Sequence, residues 1–192
     1  MNPRLKIDRR QILRQKAWQL ASPLFLGACA WLLLSSYRPV EPDINAKIKV
    51  LFLHQISKYV MWPGEPSQNA FTIAIYGEYP EMLSELNKLA AEKKRGDQPY
   101  VIVHYKQLSE IKPCHLLYLT SGNDGEISKV LEKLKGKNTL LVTDKDGMIK
   151  KGACINFYYE DNKQRFEVSN ENAKQQGLKI STKLSSIAKV ID

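Results

Sequence analysis

The closing segment of the chain, residues 152–190, carries an ordered set of local signals that constrains the fold more than any other feature. Apolar residues alternate over 155–159 and again over 166–168, and this period predicts two strands. The polar pair Asp161-Asn162 lies between them and predicts the turn of a β-hairpin. The segment contains no obvious catalytic group.

A helix, a short strand and a final helix are predicted after this hairpin. Ser169-Asn170 supplies a residue that can cap the first helix, and Gly177 can end it. Residues 178–180 then form a short apolar strand. Ser181-Thr182 supplies the cap of a final amphipathic helix.

Short apolar strands and amphipathic helices alternate through the middle of the chain. A first helix is predicted over 45–61, and Trp62-Pro63 ends it because the residue before a proline avoids helical angles. Strands are predicted at 71–76, 100–103, 116–119 and 139–142, and further helices at 81–93 and 125–134. This order predicts an α/β fold, a mainly parallel sheet sandwiched between helices, with the C-terminal antiparallel hairpin and helix added to it.

Residues 1–37 are predicted to be a basic leader followed by a signal peptide or a membrane anchor. The segment 17–37 is almost unbroken apolar sequence, which is long enough for a spanning helix. Cleavage after Ser35-Ser36 would make it a signal peptide, although Leu34 stands where a small residue is preferred. In both cases the positive-inside rule places residues 38–192 outside the inner membrane, in the periplasm.

Two further processing signals lie in the same region. Residues 26–29 resemble a lipoprotein cleavage box, so Cys29 is a candidate for lipidation, although the apolar run continues beyond it. Residues 8–14 are similar to a twin-arginine export motif, and an ordinary basic leader is the simpler interpretation. Residues 38–44, which contain two prolines, are predicted to form a stiff spacer, and the domain itself is predicted at 45–192.

The net charge of +9 does not by itself indicate a nucleic-acid partner. Residues 1–16 hold six basic residues and one acidic residue, so more than half of the net charge lies in the leader. The other lysines are spread through predicted helices and loops without stacking aromatic residues. We therefore expect no nucleic-acid binding.

Three segments of the chain resemble the YfiR family of periplasmic proteins, and they occur in the family's order. The first is the end of the opening helix, with Tyr59, Val60, Trp62 and Pro63. The second is Cys114-His115 followed by an apolar strand. The third combines Arg165-Phe166-Glu167-Val168 with Gly177-Leu178-Lys179-Ile180-Ser181. The resemblance spans most of residues 45–190.

The resemblance implies a small, non-enzymatic regulatory protein of cyclic di-GMP signalling that needs no cofactor. It implies a repressor that binds the periplasmic part of a membrane-bound diguanylate cyclase and releases it on an envelope signal. It also makes a homodimer an expectation. If residues 17–37 are not cleaved, the membrane itself is a second partner.

The family is associated with disulfides, one of which involves the cysteine at the position of Cys114. The first strand, residues 71–77, contains no cysteine, so that partner is absent here. A bond between Cys114 and Cys154 is the one disulfide available within the domain, and two buried thiols are the alternative. A disulfide needs Cα atoms within roughly 7 Å of each other, which the sequence does not reveal.

Two predicted loops are candidates for ligand binding, because ligands of parallel sheets gather at the carboxyl ends of the strands. One loop contains Gly77. The other contains Thr120, Ser121 and Gly122, where hydroxyls and the amides of the following helix can bind a small anion. Asp124 can cap that helix, which gives the second loop a simpler role.

We expect no metal site and no catalytic residue. The histidines share no ligand spacing with carboxylates or cysteines. Cys114 and His115 are neighbours in a strand and point to opposite faces, so His115 is badly placed to act as a base. Trp62 is expected to plug the core, and Arg165 to face solvent or to pair with a carboxylate such as Glu167.

Two alternatives from other classes stay open. An exported small-ligand-binding sensor that feeds another membrane receptor or a transporter would show a pocket at the two loops. A hydrolytic or thiol-exchange enzyme would need an exposed and acidic Cys114.

Overall fold

The computed structural model of the chain describes residues 43–64 and 70–191. Helix α1, Ile44–Tyr59, is the first described element, and Asp43 caps it by accepting a hydrogen bond of 2.9 Å from the Asn45 amide. The helix ends two residues earlier than predicted, because Val60 already has extended backbone angles. Val60–Met61 forms the short strand β1.

Five parallel strands form the centre of the main sheet, in the spatial order β4-β2-β5-β6-β7. They are β2 (Phe71–Tyr76), β4 (Gln98–Tyr105), β5 (Leu116–Leu119), β6 (Leu140–Thr143) and β7 (Ile155–Glu160). All side chains of β5 and β6 are buried, as is typical of parallel strands with both faces covered. We call the side of the sheet at which these five strands begin its amino end, and the opposite side its carboxyl end.

Two helices cross between neighbouring parallel strands. Helix α2, Pro80–Glu92, connects β2 to β4, and helix α3, Ile127–Leu134, connects β5 to β6. These crossovers run in opposite directions across the sheet, so right-handed connections place the two helices on opposite faces. The predicted fold class, a mainly parallel sheet between helices, is confirmed.

Short helical turns occupy positions where the sequence predicted loops or regular helix. Three 3-10 helices span Leu108–Glu110, Ser121–Glu126 and Ile149–Lys151. The second of them precedes α3, so the predicted helix over 125–134 is regular only from Ile127 onward. The two-residue strand β3, Lys94–Arg95, pairs antiparallel with the start of β4 and was not predicted.

The predicted hairpin is confirmed. Strand β8, Lys163–Val168, pairs antiparallel with β7, from Ile155 opposite Val168 to Glu160 opposite Lys163. Asp161 and Asn162 form its turn with φ angles of 50° and 56°, the left-handed conformation that suits a tight hairpin.

The end of the chain departs from the prediction in one respect. Helix α4 (Asn170–Gln175), strand β9 (Lys179–Ile180) and helix α5 (Thr182–Ser185) follow in the expected order. The last helix is a single turn, and Lys189–Val190 then forms strand β10, which pairs in parallel with β8. The hairpin is therefore covered in part by a further strand.

No helix among residues 43–64 and 70–191 is long and apolar enough to cross a membrane. The predicted span 17–37, the lipidation candidate Cys29 and the export motif at 8–14 lie outside the described residues. The predictions made for them, and for the division of the chain at residue 45, stay predictions.

A buried ion pair fixes the first half of α1 against the carboxyl end of β6. The Lys49 ammonium lies 2.6 Å from Asp144, and the two side chains are only 8% and 12% exposed. Asp144 directly follows β6, so the pair ties the helix to the sheet. A buried charge without its partner is strongly destabilising.

We therefore expect Asp144→Ala to lower the free energy of unfolding by about 3 kcal/mol, because it leaves the Lys49 ammonium buried and unpaired. Urea unfolding followed by circular dichroism measures this. Glu85→Ala is the matched control, since it removes the partner of Lys88, which is 62% exposed, and should cost at most about 0.5 kcal/mol. Equal losses in the two variants would contradict the role given to the buried pair.

Candidate functional site

Trp62, in the first segment of the resemblance, contacts the second segment at the amino end of the sheet. Its side chain is 8% exposed and packs edge-on against Phe71, with ring centroids 5.0 Å apart. Its Nε1 donates a hydrogen bond of 3.1 Å to the carbonyl oxygen of His115, in the second segment. Trp62 thus plugs the core as expected, while Pro63 beside it is exposed in a turn.

Arg95 completes this cluster, and the sequence analysis missed it. Its guanidinium lies over the rings of Trp62 and Phe71, 4.9 and 4.7 Å from their centroids. Its Nε donates a hydrogen bond of 2.6 Å to the carbonyl oxygen of Ser57, near the end of α1. Arg95 therefore joins α1, β2 and β3. It follows Lys93 and Lys94, and such a run of basic residues is normally a solvated surface.

His115 holds its position through its ring. The Nδ1 atom accepts a hydrogen bond of 2.9 Å from the Thr72 amide, and the ring stacks on Phe71 with centroids 4.6 Å apart. Its side chain is therefore committed to the fold. This arrangement agrees with the expectation that His115 does not act as a base for Cys114.

Cys114 and Cys154 are buried free thiols, so the available disulfide is not formed. Strand β6 lies between the strands that they precede, β5 and β7. Strands two positions apart are separated by roughly 10 Å, which exceeds the reach of a disulfide. Burial raises the pKa of each thiol to about 12, so neither has the character of a nucleophile.

The closing segment packs directly beside the first one. Strand β9 pairs antiparallel with β1, and the Ser181 amide donates a hydrogen bond of 2.9 Å to the carbonyl oxygen of Tyr59. Ser181 caps α5, accepting a hydrogen bond from the Leu184 amide. Gly177 has a φ of +74°, and a side chain there would clash with the Asn138 side chain.

Of the two neighbouring signature residues in the hairpin, Phe166 lies in the core and Arg165 at the surface. Phe166 is buried against Phe52, with ring centroids 5.4 Å apart. Arg165 is half-exposed and pairs with Glu160 across the hairpin at 2.9 Å. The expectation of a carboxylate partner is therefore correct, but the partner is Glu160, and Glu167 pairs with Lys189 instead.

The two predicted ligand loops come together at the carboxyl end of the sheet, and their own side chains fill the space between them. Gly77 has a φ of +101°, and a side chain there would clash with Thr120 Oγ1 and Asn123 Oδ1. Thr120 is buried, whereas Ser121 and Gly122 are exposed at the start of a 3-10 helix. The ligand role of these loops stays a prediction.

Asp124 does not cap the following helix, contrary to the simpler role given to it. The residue lies inside the 3-10 helix, and its carboxylate is 2.6 Å from the Lys145 ammonium. The hydrogen bond from Lys145 lowers the pKa of Asp124. The carboxylate thus ties this loop to the segment after β6.

A groove of about 580 Å³ lies beside the hairpin and was not predicted. Its lining includes Phe52, Tyr158, Arg165, Phe166, Ile187 and Lys189. Strand β10 covers only Glu167 and Val168 of β8, so within the described part of the chain residues 163–166 present an open strand edge to the groove. The sequence analysis did not predict this groove, because the sequence pattern places Ile187 on the apolar face of a final helix.

A protein-family model described as YfiR/HmsC-like matches residues 46–189 of the chain. The predicted resemblance is thereby confirmed. The family implies a periplasmic regulator of cyclic di-GMP signalling and a regulatory, non-catalytic domain. None of the curated proteins is similar enough to match the chain.

We expect Cys114 and Cys154 to resist alkylation in the folded protein. With a pKa of about 12, each should react at pH 8 roughly a thousandfold more slowly than an ordinary thiol with a pKa of about 8.5. Folding raises the pKa of both thiols, so burying them as neutral groups carries no electrostatic penalty below about pH 8.5, the pKa of an unfolded cysteine. As the pH rises from there toward 12, the unfolded chain loses these protons first and the free energy of unfolding falls. Mass spectrometry of a Cys29→Ser variant measures both rates, and fast reaction of native Cys114 would refute the burial described here.

We expect Gly77→Ala to destabilise the protein by about 2–4 kcal/mol, since the new methyl group meets Thr120 and Asn123 at a positive φ. Gly122→Ala is the matched control because a side chain there meets nothing within 4 Å, and it should change stability by less than about 0.5 kcal/mol. Thermal and urea unfolding of the two variants measure their free energies of unfolding. A tolerated Gly77→Ala would show that the two loops are not closely packed.

Proposed function

Because the chain belongs to the YfiR/HmsC-like family, we propose that it represses a membrane-bound diguanylate cyclase by binding the periplasmic part of that enzyme. The family match over residues 46–189 carries this proposal. Binding the inactive conformation of the cyclase more tightly than the active one shifts the population toward the inactive state. An envelope signal that removes this difference in affinity releases the enzyme.

The groove beside the hairpin supports this proposal with a surface of suitable shape. Residues 163–166 offer an open strand edge, and Ile187 next to it is 66% exposed. An extended segment of the cyclase can add to this edge through main-chain hydrogen bonds, and its alternate side chains can enter the groove.

Arg165 at the groove can exchange its present carboxylate partner, Glu160, for one on the cyclase. Arg165 and Glu160 form an ion pair in which both side chains are about half exposed, so the pair contributes little to stability. A carboxylate of the cyclase can therefore take the place of Glu160 at small cost.

The rest of the domain supports regulation rather than chemistry. Both described cysteines are buried, with pKa values raised to about 12, and His115 is committed to Thr72 and Phe71. The space at the two strand-end loops is filled by Thr120 and Asn123, which gives the small-ligand sensor less support than the repressor.

How the domain reaches the cyclase depends on the processing of the first 37 residues. If they are retained as an anchor, they hold the domain at the inner membrane, where a membrane-bound cyclase lies. If they are cleaved, the domain is released into the periplasm and reaches the cyclase by diffusion. The proposed function is the same in both cases.

A photo-crosslinking amino acid placed at Ile187 in the full-length protein tests the proposal in cells. We expect detergent extraction, affinity capture and mass spectrometry to recover a membrane cyclase joined through its periplasmic part. Leu51 on α1 is the matched control position, since it is 47% exposed and lies outside the lining of the groove.

The same two positions test the consequence for signalling. Ile187→Asp and deletion of the gene should both raise cellular cyclic di-GMP, whereas Leu51→Asp should leave it low. Unchanged cyclic di-GMP on deletion contradicts the repressor. Recovery of a receptor kinase or transporter in place of the cyclase would favour the ligand-sensor alternative.

A further inference from the structure

Strand β4 lies near the edge of the main sheet opposite to the hairpin, and most of its outer side has no strand partner. The two-residue strand β3 pairs only with Gln98 and Pro99. Residues 100–105 pair with β2 on their inner side alone, so within residues 43–64 and 70–191 they form an open edge. This edge is longer than the open edge of β8 at residues 163–166.

The backbone groups that face outward belong to alternate residues of this edge. The Tyr105 carbonyl oxygen accepts a hydrogen bond of 3.1 Å from the Gly77 amide, on the side of β2. Successive residues of a strand turn their backbone groups to opposite sides, so Ile102 and His104 turn their N–H and C=O groups away from β2. Tyr100 does the same, so the edge presents donors and acceptors to a further strand.

This edge lacks the features that normally keep strand edges from pairing. Natural edges are protected by charged side chains, prolines or bulges. Pro99 lies in the part that β3 covers, and residues 100–105 contain no proline, no acidic residue and no basic residue other than His104. Val101 is 44% exposed, and Val103 is half-buried. An apolar edge of this kind is an aggregation hazard unless a partner covers it.

A second copy of the chain fits this edge, because the edge can pair with itself. β3 occupies the position beside Pro99, so an incoming antiparallel strand can reach only the residues that follow. The register that stays clear of β3 and matches the most outward groups is centred on Val103. The opposed pairs are then Val103 with Val103, Val101 with Tyr105, and Ile102 with His104. No pair sets two like charges opposite each other.

The pairing also joins apolar side chains of the two copies on one face. Val101, Val103 and Tyr105 share a face of β4, and antiparallel pairing sets the same three side chains of the second copy beside them. Both copies use the same edge, so the pairing is two-fold symmetric and closes at a dimer. No apolar edge of β4 then stays open to further chains.

We propose that two copies of this protein pair through the open edge of β4, as antiparallel strands centred on Val103. Their eight-stranded sheets then form one continuous sheet. The groove beside the hairpin lies toward the other edge of each sheet and stays accessible. The dimer does not depend on the cyclase.

Cysteine crosslinking of the full-length protein in intact cells, with a membrane-permeable oxidant, tests this register. A Cys29→Ser background removes one native cysteine, and Cys114 and Cys154 are buried. Val103→Cys sets the two new thiols in a non-hydrogen-bonded pair with Cα atoms about 4.5 Å apart, within the reach of a disulfide. We expect at least about tenfold more disulfide-linked dimer on non-reducing gels than with Val101→Cys.

Val101→Cys is the matched control on the same edge. Val101 is more exposed than Val103, so random collisions would crosslink it at least as readily. In the proposed register the two copies of residue 101 lie roughly 14 Å apart, the length of about four strand residues. This distance exceeds the reach of a disulfide.

A second pair of variants tests the hydrogen bonds of the edge. Ile102→Pro removes an N–H group that points away from β2 and leaves the ladder to β2 intact, and edge strands tolerate proline at such positions. Combined with Val103→Cys, Ile102→Pro should abolish the crosslink, whereas Ile102→Val should retain it. Thermal unfolding followed by circular dichroism shows whether both variants fold.

Absence of a crosslinked dimer from Val103→Cys would overturn the proposal, and so would equal crosslinking of Val101→Cys. A crosslink that persists in folded Ile102→Pro would also overturn it. A crosslink from Val103→Cys to a different protein would assign the edge to that protein and exclude the second copy. If Ile102→Pro does not fold, the two cysteine positions still decide. Failure of the cyclase experiments at Ile187 would leave all these results unchanged.

Discussion

The common direction of the five central strands decides where every other feature of this domain lies. A parallel sheet cannot turn back through a tight hairpin, so each strand must be followed by a connection that returns to the amino end. The chain therefore passes from one end of the sheet to the other several times in the same order. Loops that are distant in sequence become neighbours, and the signature segments around Trp62 meet for this reason.

The cluster of Trp62, Phe71, His115 and Arg95 closes the amino end of this arrangement. It joins the end of α1 to β2, β3 and the approach to β5 through ring contacts, one cation over two rings, and hydrogen bonds to backbone carbonyls. Each member is also a partner of another, so the free energy of the cluster is shared rather than additive. Trp62 and His115 belong to the segments that resemble the family, and the cluster as a whole stabilises the fold. The groove that we propose as the binding surface for the cyclase lies elsewhere, beside the hairpin.

Sequence reasoning predicted the elements well where one local signal determines the structure. Asp161-Asn162 formed its turn, Ser169 and Ser181 became caps, and Gly177 took a left-handed conformation. It was wrong about Asp124, which pairs with Lys145 instead of capping a helix. It expected a carboxylate partner for Arg165 but did not identify Glu160. It missed Arg95 and β10 entirely. Each of these depends on a residue that is distant in sequence or on a two-residue pairing, and neither leaves a periodic pattern.

The pairing of β1 with β9 has a consequence for how the protein acquires its structure after export. Export delivers α1 and β1 to the periplasm early, whereas β9 and the Ser181 amide that binds Tyr59 emerge about 120 residues later. Until then β1 lacks its strand partner, and the first helix cannot be fixed at both of its ends. The last elements to enter the periplasm thus complete the first, and a chain whose translation stops before residue 179 would leave Val60 and Met61 as an unpaired strand edge that proteases can cleave.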